Sequence, residues 1–168
     1  MEIRRLTPKD AENYWRIRLE ALKRNPEAFS TSYEDAIKKE NPVKQYIKSF
    51  QSEDTFTLGA FENEQMIGVI TLLLEKTVKL RHKANIAAMY VSAEKRREGI
   101  GKALMKEAIK KAKSFKYIEQ INLSVVSSNK IAKGIYLSMG FKVFGTEMRA
   151  LKHNGDYFDE DLMVLFLR

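Results

Sequence analysis

The chain has 168 residues, of which 44% are hydrophobic and 31% are charged, proportions typical of a globular protein with a sizeable core. It contains no cysteine and 2 histidines, which excludes disulfides, a cysteine nucleophile, and thiolate or multi-histidine metal sites. The 30 lysines and arginines outnumber the 22 acidic residues, and the net charge of +8 favours anionic partners.

Membrane and targeting signals are also missing from the pattern. No apolar run approaches the ~20 residues that a membrane helix needs. The opening residues, MEIRRLTPKD, lack the apolar segment that follows the charges of a signal peptide. With the missing cysteine, this predicts a cytoplasmic protein without a membrane partner.

The first third of the chain carries helix signals. Thr7 is predicted to cap a helix, with Pro8 in its first turn and Asp10 three residues after the cap. Two shorter helices are predicted between positions 31 and 51, divided at Asn41-Pro42, because a residue before proline disfavours helical backbone. Within the first helix, larger side chains recur at helical spacing: Trp15, Arg18, Leu19 and Leu22.

Between positions 55 and 92, the spacing of the hydrophobic residues changes from that of helices to that of β-strands. The segments TFTLGAF, QMIGVITLLLEK and ANIAAMYVS are β-rich and joined by polar turns, which predicts an antiparallel meander. A helix with an apolar stripe from Gly101 to Phe115 follows. The next strand, IEQINLSVV, should run parallel to ANIAAMYVS because a helix connects the two.

The C-terminal part predicts a short helix and a hairpin. The segment NKIAKGIYLSMGF forms the helix and ends at Gly140, a C-cap position. Two β-rich segments then flank Asn154-Gly155, which is a strong hairpin signal. The whole predicts a mixed α/β fold with a mostly antiparallel sheet, one parallel βαβ crossover, flanking helices and a closing β-hairpin.

The stretch RREGIG, at positions 96–101, lies between a predicted strand and a predicted helix. A helix N-terminus offers free N–H groups and a partial positive charge, so Gly99 and Gly101 would let a phosphate come close. Arg96 and Arg97 would add cationic donors. Alternatively, the two glycines only shape a tight turn and allow the helix to pack. Neither a Walker A loop nor a dinucleotide fingerprint matches this spacing.

A second constellation lies in the short helix near the C-terminus. Asn129, Ala132, Tyr136 and Gly140 are separated by three, four and four positions, so they share one helix face. Taken alone, Tyr136 is more typical of a core residue and Asn129 of a helix cap.

In order and in context, the two motifs resemble those of the GNAT superfamily of N-acetyltransferases, which use acetyl-coenzyme A. RREGIG corresponds to the superfamily's Gln/Arg-x-x-Gly-x-Gly/Ala, and the second motif has the usual spacing up to Gly140-Phe141. The order of elements agrees over nearly the full length. The resemblance therefore implies one N-acetyltransferase domain, 1–168, with a GNAT-like sheet.

The resemblance also assigns a binding site for acetyl-coenzyme A as co-substrate, with no metal. Met89 and Val91 would bond the pantetheine arm through main-chain groups, and Asn129 would contact the arm or the region near the sulfur. Tyr136 would sit by the sulfur and protonate the leaving thiolate as general acid. The pyrophosphate would be held by the turn and the first residues of the helix: Arg96, Arg97, Gly99, Ile100, Gly101 and Lys102.

The acceptor would be a primary amine that attacks the thioester directly in a ternary complex. The motifs do not identify the base that deprotonates it. Glu34 is the first candidate and Glu75 the second, although both are also typical of surface carboxylates. Phe29 and Tyr33 are candidate walls of the acceptor pocket, or else core contacts.

Other functions stay open at this point. A GNAT-like domain could bind acyl-coenzyme A as a sensor or regulatory module without turnover. The charge of +8 suggests nucleic acid, but the basic residues are spread over several helices and do not alternate with aromatic residues as in RNA-binding sheets. The closing hairpin offers an edge through which a homodimer could form.

Overall fold

The computed structural model describes residues 1–168, which form seven strands and five α-helices. The strands are β1 (Glu2–Arg5), β2 (Thr55–Glu62), β3 (Gln65–Leu74), β4 (Lys83–Val91), β5 (Gln120–Val126), β6 (Lys142–His153) and β7 (Asp156–Phe166). The helices are α1 (Ala11–Arg24), α2 (Tyr33–Ile37), α3 (Pro42–Phe50), α4 (Ile100–Lys113) and α5 (Lys130–Ser138). Short 3₁₀ turns lie at Pro8–Asp10, Pro26–Ala28 and Ala93–Lys95. None of the helices is long and apolar enough to cross a membrane.

All seven strands belong to one sheet, in the order β1-β2-β3-β4-β5-β7-β6. Neighbouring strands are antiparallel except β4 and β5, which are parallel because α4 carries the chain back between them. The predicted mixed α/β fold with one parallel crossover is therefore confirmed. The sequence pattern does not predict β1, since its four residues contain a single apolar side chain, Ile3, and show no alternation.

The start of α1 follows the predicted capping signals. The carboxylate of Asp10 accepts a hydrogen bond from the Thr7 N–H at 2.7 Å, and Pro8 opens the 3₁₀ turn that leads into the helix. Arg4 donates to both oxygens of Asp10, at 2.8 and 2.9 Å. This pair ties the first strand to the first helix.

The face that α1 buries is rotated from the predicted stripe. Trp15, Arg18 and Leu19 are only half-buried, because α3 and the turn at Pro26–Ala28 cover this side of α1 incompletely. Of the predicted stripe only Leu22 is fully buried, and it is joined by four residues of a neighbouring face: Ala11, Tyr14, Ile17 and Ala21.

A hydrophobic core lies on each face of the sheet. The larger core packs α4 and α5 against the sheet and includes Leu104, Met105 and Tyr136. The smaller core packs α1 and α3 against the other face, where the rings of Tyr14 and Phe50 meet edge to face at 5.2 Å. Burial of each large apolar side chain contributes about 1.5–3 kcal/mol to the stability of the fold. The core of 22 residues therefore contributes more to stability than the core of 10 residues.

β4 and β5 are paired only over their first three residues. Lys83–Asn85 pair with Gln120–Asn122, and from Ile86 onward β4 has no strand partner on that side. Beyond these three pairs the two strands are no longer hydrogen-bonded to each other. We call this unpaired part of the sheet the β4–β5 cleft; it is bounded by residues 86–91 and 123–126.

A β-bulge reshapes the free part of β4. Ala88 and Met89 together oppose the single residue Ile70 of β3, and Ala88 takes a left-handed φ of 52°. The extra residue shifts the alternation of side chains. As a result, Met89 packs against the larger core, while Tyr90 belongs to the smaller core on the other face.

The C-terminal elements end at the predicted residues. Gly140 follows α5 with a φ of 96°, as expected of a helix C-cap. Asn154 and Gly155 both have left-handed φ values, 51° and 83°, which suit a tight hairpin turn between β6 and β7. β7 lies next to β5, so β6 forms the edge of the sheet.

Candidate active site

The first turn of α4 and the middle of α5 border the β4–β5 cleft on the face of the larger core. A Cβ atom built at Gly101 would lie 2.9 Å from Met89 Cε and 3.4 Å from Ile135 Cδ1. The end of β4, the start of α4 and α5 therefore meet at one point. The structure brings together the two motifs that lie apart in the sequence.

The turn before α4 contains two residues with left-handed backbone. Gly99 caps the helix with a φ of 79°, and Arg97, two residues earlier, is also left-handed with a φ of 68°. Left-handed residues in a tight turn gather successive N–H groups on one concave side, where an anion can be bound. The side chain of Arg97 is exposed beside this turn.

The first turn of α4 adds further donors. Its first intrahelical hydrogen bond runs from the Ala103 N–H to the Gly99 carbonyl at 3.0 Å, so the N–H groups of Ile100, Gly101 and Lys102 precede it and need other acceptors. Ile100 is buried and anchors the helix, whereas the Lys102 side chain is exposed. Backbone donors at a helix N-terminus with cations beside them fit the pyrophosphate of coenzyme A. No three His, Asp or Glu side chains come together in a group that could hold a metal ion.

The two glycines of this turn are required for different reasons. A Cβ at Gly99 would meet no atom within 4 Å, so its left-handed φ, and not crowding, demands glycine. At Gly101 the space of a side chain is filled by Met89 and Ile135. Gly99 thus shapes the turn and leaves its outer side open, whereas Gly101 makes room for the protein's own side chains and not for a ligand.

Arg96 is oriented differently from the prediction. Its Nη2 donates to Asn25 Oδ1 at 2.7 Å, and its Nε donates to the Val91 carbonyl at 3.2 Å. The guanidinium also lies 5.5 Å from the centre of the Tyr90 ring. Arg96 thereby links the turn before α4 to the end of α1, and contacts of Arg96 and Arg97 with a phosphate stay predictions.

Tyr136 points from α5 to the end of β4. Its hydroxyl donates to Met89 Sδ at 3.6 Å, and a thioether sulfur is a weak acceptor. Burial raises the pKa of Tyr136 to about 12, so the phenol keeps its proton at neutral pH. A buried, protonated phenol without a strong acceptor is suited to donate to a thiolate formed beside it.

Asn129 is the N-cap of α5. Its side-chain oxygen accepts a hydrogen bond from the Ala132 N–H at 3.2 Å, which is the structural role that the sequence offers as an alternative. A contact with the pantetheine arm would therefore use the amide nitrogen of Asn129.

The two candidate bases lie in different surroundings. Glu34 is exposed in the first turn of α2. Glu75 accepts a hydrogen bond from Asn85 Nδ2 at 2.8 Å, at the closed end of the β4–β5 pair. Asn85 is four residues from Met89, which is roughly 13 Å along a strand. Glu75 is thus remote from the end of β4, and Glu34 stays a prediction.

The other face of the β4–β5 cleft is covered by α1 and the segment after it. The turn at Pro26–Ala28 packs against β5 and β6 and so crosses from α1 over the cleft. Phe29 follows directly and lies under the guanidinium of Arg18, 5.1 Å from ring centre to Cζ. The centre of the Tyr33 ring lies 5.8 Å from Lys23 Nζ. Both predicted wall residues are half-buried on this side of the sheet.

A hydrogen-bond network around Asp161 holds α5 in place, and the sequence pattern does not reveal it. The Asp161 carboxylate pairs with Lys133 Nζ of α5 at 2.6 Å. It also accepts from Ser127 Oγ at 2.9 Å and from Thr146 Oγ1 at 2.8 Å. The carboxylate thereby joins α5, which carries Tyr136, to β7, β6 and the loop after β5.

We expect Asp161→Asn to lower the free energy of unfolding by about 2–3 kcal/mol at pH 7, because a buried charged acceptor is lost. The Lys133 hydrogen bond, followed by that of Thr146, lowers the pKa of Asp161 against the opposing effect of burial. A lowered pKa stabilises the fold above the unfolded pKa, and the contribution is lost as the pH falls through the folded value. Urea unfolding of both proteins at pH 7 and pH 3 tests this.

The difference between wild type and Asp161→Asn should therefore shrink below about pH 4. Asp156→Asn, on the exposed hairpin turn, is the matched control and should unfold like the wild type at both pH values. Equal stability of Asp161→Asn and wild type at pH 7 would contradict the role of this network.

Comparison with known proteins agrees with this arrangement. The sequence profile of the acetyltransferase (GNAT) domain family matches residues 3–162. The chain belongs to the GNAT acetyltransferase family. As a member of this family, the protein is an acetyltransferase, and the resemblance carried by RREGIG and the Asn129–Phe141 motif is confirmed at the level of the family.

Relatives of this GNAT protein act on different amines. It is 29% identical over 153 residues to a spermidine N(1)-acetyltransferase of Thermoplasma acidophilum, covering 88% of this chain and 91% of that one. It is 29% identical over 99 residues to the L-amino acid N-acetyltransferase AaaT of Escherichia coli, covering 59% and 60%. The solved structure of yncA from Salmonella typhimurium, which holds its cofactor acetyl-CoA, has a TM-score of 0.86 at 18% identity and covers 100% of this chain and 94% of that one.

Proposed function

We propose that the protein moves an acetyl group from acetyl-coenzyme A to a primary amine, by direct attack within a ternary complex. The observation that carries the proposal is the meeting of Tyr136, the end of β4 and the N-terminus of α4 at the β4–β5 cleft. Backbone donors for a pyrophosphate and a protonated phenol then border the same cleft. The coenzyme complex of the structurally similar Salmonella protein supports the choice of donor.

The chemistry requires no nucleophile from the protein. The amine nitrogen forms a bond to the carbonyl carbon of the thioester, and the carbon–sulfur bond breaks. N–H groups of β4 near Met89, freed by the bulge, would stabilise the oxygen that becomes negative. Tyr136 would give its proton to the departing sulfur. In sum, one N–H proton of the amine ends on the thiol of coenzyme A.

Positioning would supply much of the rate. Two substrates held in one cleft react as if at very high concentration, which lowers the entropic part of the barrier. The incoming amine must first lose its ammonium proton, because amine pKa values of about 8–10 lie above neutral pH. Glu34 or a water relay is our proposal for this step.

Acetyl-coenzyme A at about 100 times its dissociation constant should raise the free energy of unfolding by ~2.7 kcal/mol. For a chain of this size, that corresponds to a rise in Tm of about 5–10 °C. Differential scanning fluorimetry measures this shift, and acetate with AMP serves as a control ligand pair. Release of free thiol with a panel of primary amines then measures turnover.

Two outcomes would contradict the proposal. If millimolar acetyl-coenzyme A does not raise the Tm, acetyl-coenzyme A is not the acetyl donor of this protein. A rise in Tm without thiol release for any amine would favour the acyl-coenzyme A-binding sensor instead.

A homodimer and a cytoplasmic location stay predictions. The edge strand β6 exposes Phe144 and Met148, with 57% and 70% of their surface accessible, and this favours pairing of two copies along that edge.

A further inference from the structure

Arg18 of α1 carries the one buried polar side-chain atom of the protein without a hydrogen-bond partner. This atom is Nη1. Arg18 also takes part in none of the five ion pairs of the structure. The Arg18 side chain is half-buried as a whole, but Nη1 itself is buried. Buried charged donors are normally paired, because an unsatisfied charged donor costs more free energy than a neutral one. The free donor therefore needs an acceptor that the chain itself does not provide.

The position of Arg18 is fixed on two sides. Its guanidinium lies over Phe29, which directly follows the turn at Pro26–Ala28 that packs on β5 and β6. Burial raises the pKa of Tyr14 to about 12 and the charge of Arg18 opposes this, so Arg18 lies near that phenol. Tyr14 in turn lies next to Thr71 of β3, whose partner on β4 is Ala87.

Arg18 thus lies on the α1 side of the sheet, near Tyr14 and over the Phe29 ring that follows the turn at Pro26–Ala28. This is the α1 face of the β4–β5 cleft, opposite the face on which Tyr136 and the N-terminus of α4 lie. Acetyl-coenzyme A bound at α4 and α5 would leave this face of the cleft free for the amine that accepts the acetyl group. The unpaired Nη1 of Arg18 therefore lies on the face that acetyl-coenzyme A leaves free.

We propose that Arg18 binds a carboxylate of the acceptor, and that the acceptor is an amino acid and not a polyamine. The inference rests on the proposed function. A guanidinium binds a carboxylate through two parallel N–H groups, and the Phe29 ring under its plane restricts its orientation. A polyamine carries only positive charge, which Arg18 would repel.

The same face of the sheet also carries a pair of carboxylates. Glu147 of β6 is directly opposite Glu160 of β7. Asp161 points to Lys133 of α5, so Glu160 and Glu147 point to the other face, that of α1. Like charges opposite each other on a sheet are destabilising and attract a cation. The α1 face therefore carries both a guanidinium without an acceptor and a pair of carboxylates.

Binding is tested first without relying on turnover. The Tm of the protein saturated with coenzyme A is measured with each of the twenty L-amino acids, with their carboxamides, and with spermidine and putrescine. We expect at least one amino acid to raise the Tm and its carboxamide to fail. Stabilisation by the polyamines alone, or by no carboxylated amine, would overturn the inference.

Variants then assign the effect to Arg18. Arg18→Gln should raise the KM for the accepted amino acid about 10- to 100-fold, with kcat little changed, and should leave the carboxamide unaffected. Arg18→Lys keeps the charge and should recover part of the affinity. Arg16→Gln, which changes an exposed arginine of the same helix, is the control and should behave like wild type.

The kinetic split separates recognition from mere structural support. A structural role would change the KM for the amino acid and the carboxamide alike, and that result would overturn the inference. If polyamines are acetylated and amino acids are not, the proposed function stands and this inference fails. If amino acids stabilise the coenzyme complex through Arg18 but no amine is acetylated, the inference stands and the proposed function fails.

Discussion

Replacing Tyr136 by phenylalanine is expected to lower the kcat of amine acetylation at least 100-fold, the usual contribution of a general acid. The ring would still fill its buried site against Phe141, 6.0 Å between ring centres, so the fold should be retained. Affinity for acetyl-coenzyme A should change less than about threefold, because the hydroxyl contacts only the Met89 sulfur. Steady-state kinetics and calorimetric titration with acetyl-coenzyme A measure the two effects.

Tyr117→Phe is the matched control for this prediction. Tyr117 is exposed after α4, with 50% of its surface accessible, and its hydroxyl should be irrelevant to kcat. If Tyr136→Phe leaves kcat unchanged, the assignment of the general acid is wrong. If it abolishes binding of acetyl-coenzyme A instead, the hydroxyl has a binding role and not an acid role.

The pH profile gives an independent check on Tyr136. Burial raises its pKa to about 12, and a phenol is protonated below its pKa, so the acid form is present through neutral pH. The log of kcat/KM should rise with pH as the substrate amine loses its proton. It should show no falling limb from Tyr136 below about pH 10.

Gly101→Val is expected to reduce turnover at least 100-fold, since small displacements of reacting groups are that costly. The new Cβ would lie 2.9 Å from the Met89 methyl, which must move, and Met89 is the contact of the Tyr136 hydroxyl. The new side chain would also crowd Ile135, which precedes Tyr136 in α5, because the Cβ would lie 3.4 Å from Ile135 Cδ1. Overpacking of this kind also destabilises by about 1–3 kcal/mol, which thermal unfolding will record.

Other substitutions make this result specific. Gly134→Ala, in the exposed part of α5, meets no atom within 4 Å and should leave activity unchanged while stabilising the helix by about 0.5–1 kcal/mol. Adding Met89→Ala to Gly101→Val removes the clash and should restore part of the activity. Wild-type turnover in Gly101→Val would show that the close approach of α4 to β4 is not needed for catalysis.

The order of the elements follows from local signals. Period-two and helical patterns, the proline at position 42 and the Asn154-Gly155 turn each act over a few residues, and the structure contains the elements that they predict, although α1 buries a different face. β1 is missed because a strand of four residues has too few positions for a pattern. It exists because β2 pairs with it and because Arg4 binds Asp10.

The site is predictable only where the chain itself sets the geometry. The turn of Gly99 and the place of Tyr136 on its helix are local features, and both are found as expected. The direction of Arg96 depends on Asn25, 71 residues away, and the network of Asp161 depends on Lys133 and Thr146. The orphan donor of Arg18 has no sequence signal, since only the packing around it shows that it lacks an acceptor.

The short pairing of β4 with β5 divides the sheet into two parts, the strands β1 to β4 and the strands β5, β7 and β6. Three residue pairs connect the two parts, and the rest of the boundary between β4 and β5 has no strand-to-strand hydrogen bonds. A ligand in the β4–β5 cleft would contact both parts far from the three residue pairs, where it can best oppose a rotation of one part against the other. We expect such a ligand to hold the two parts together and so to stiffen the whole sheet, not only the residues that it contacts.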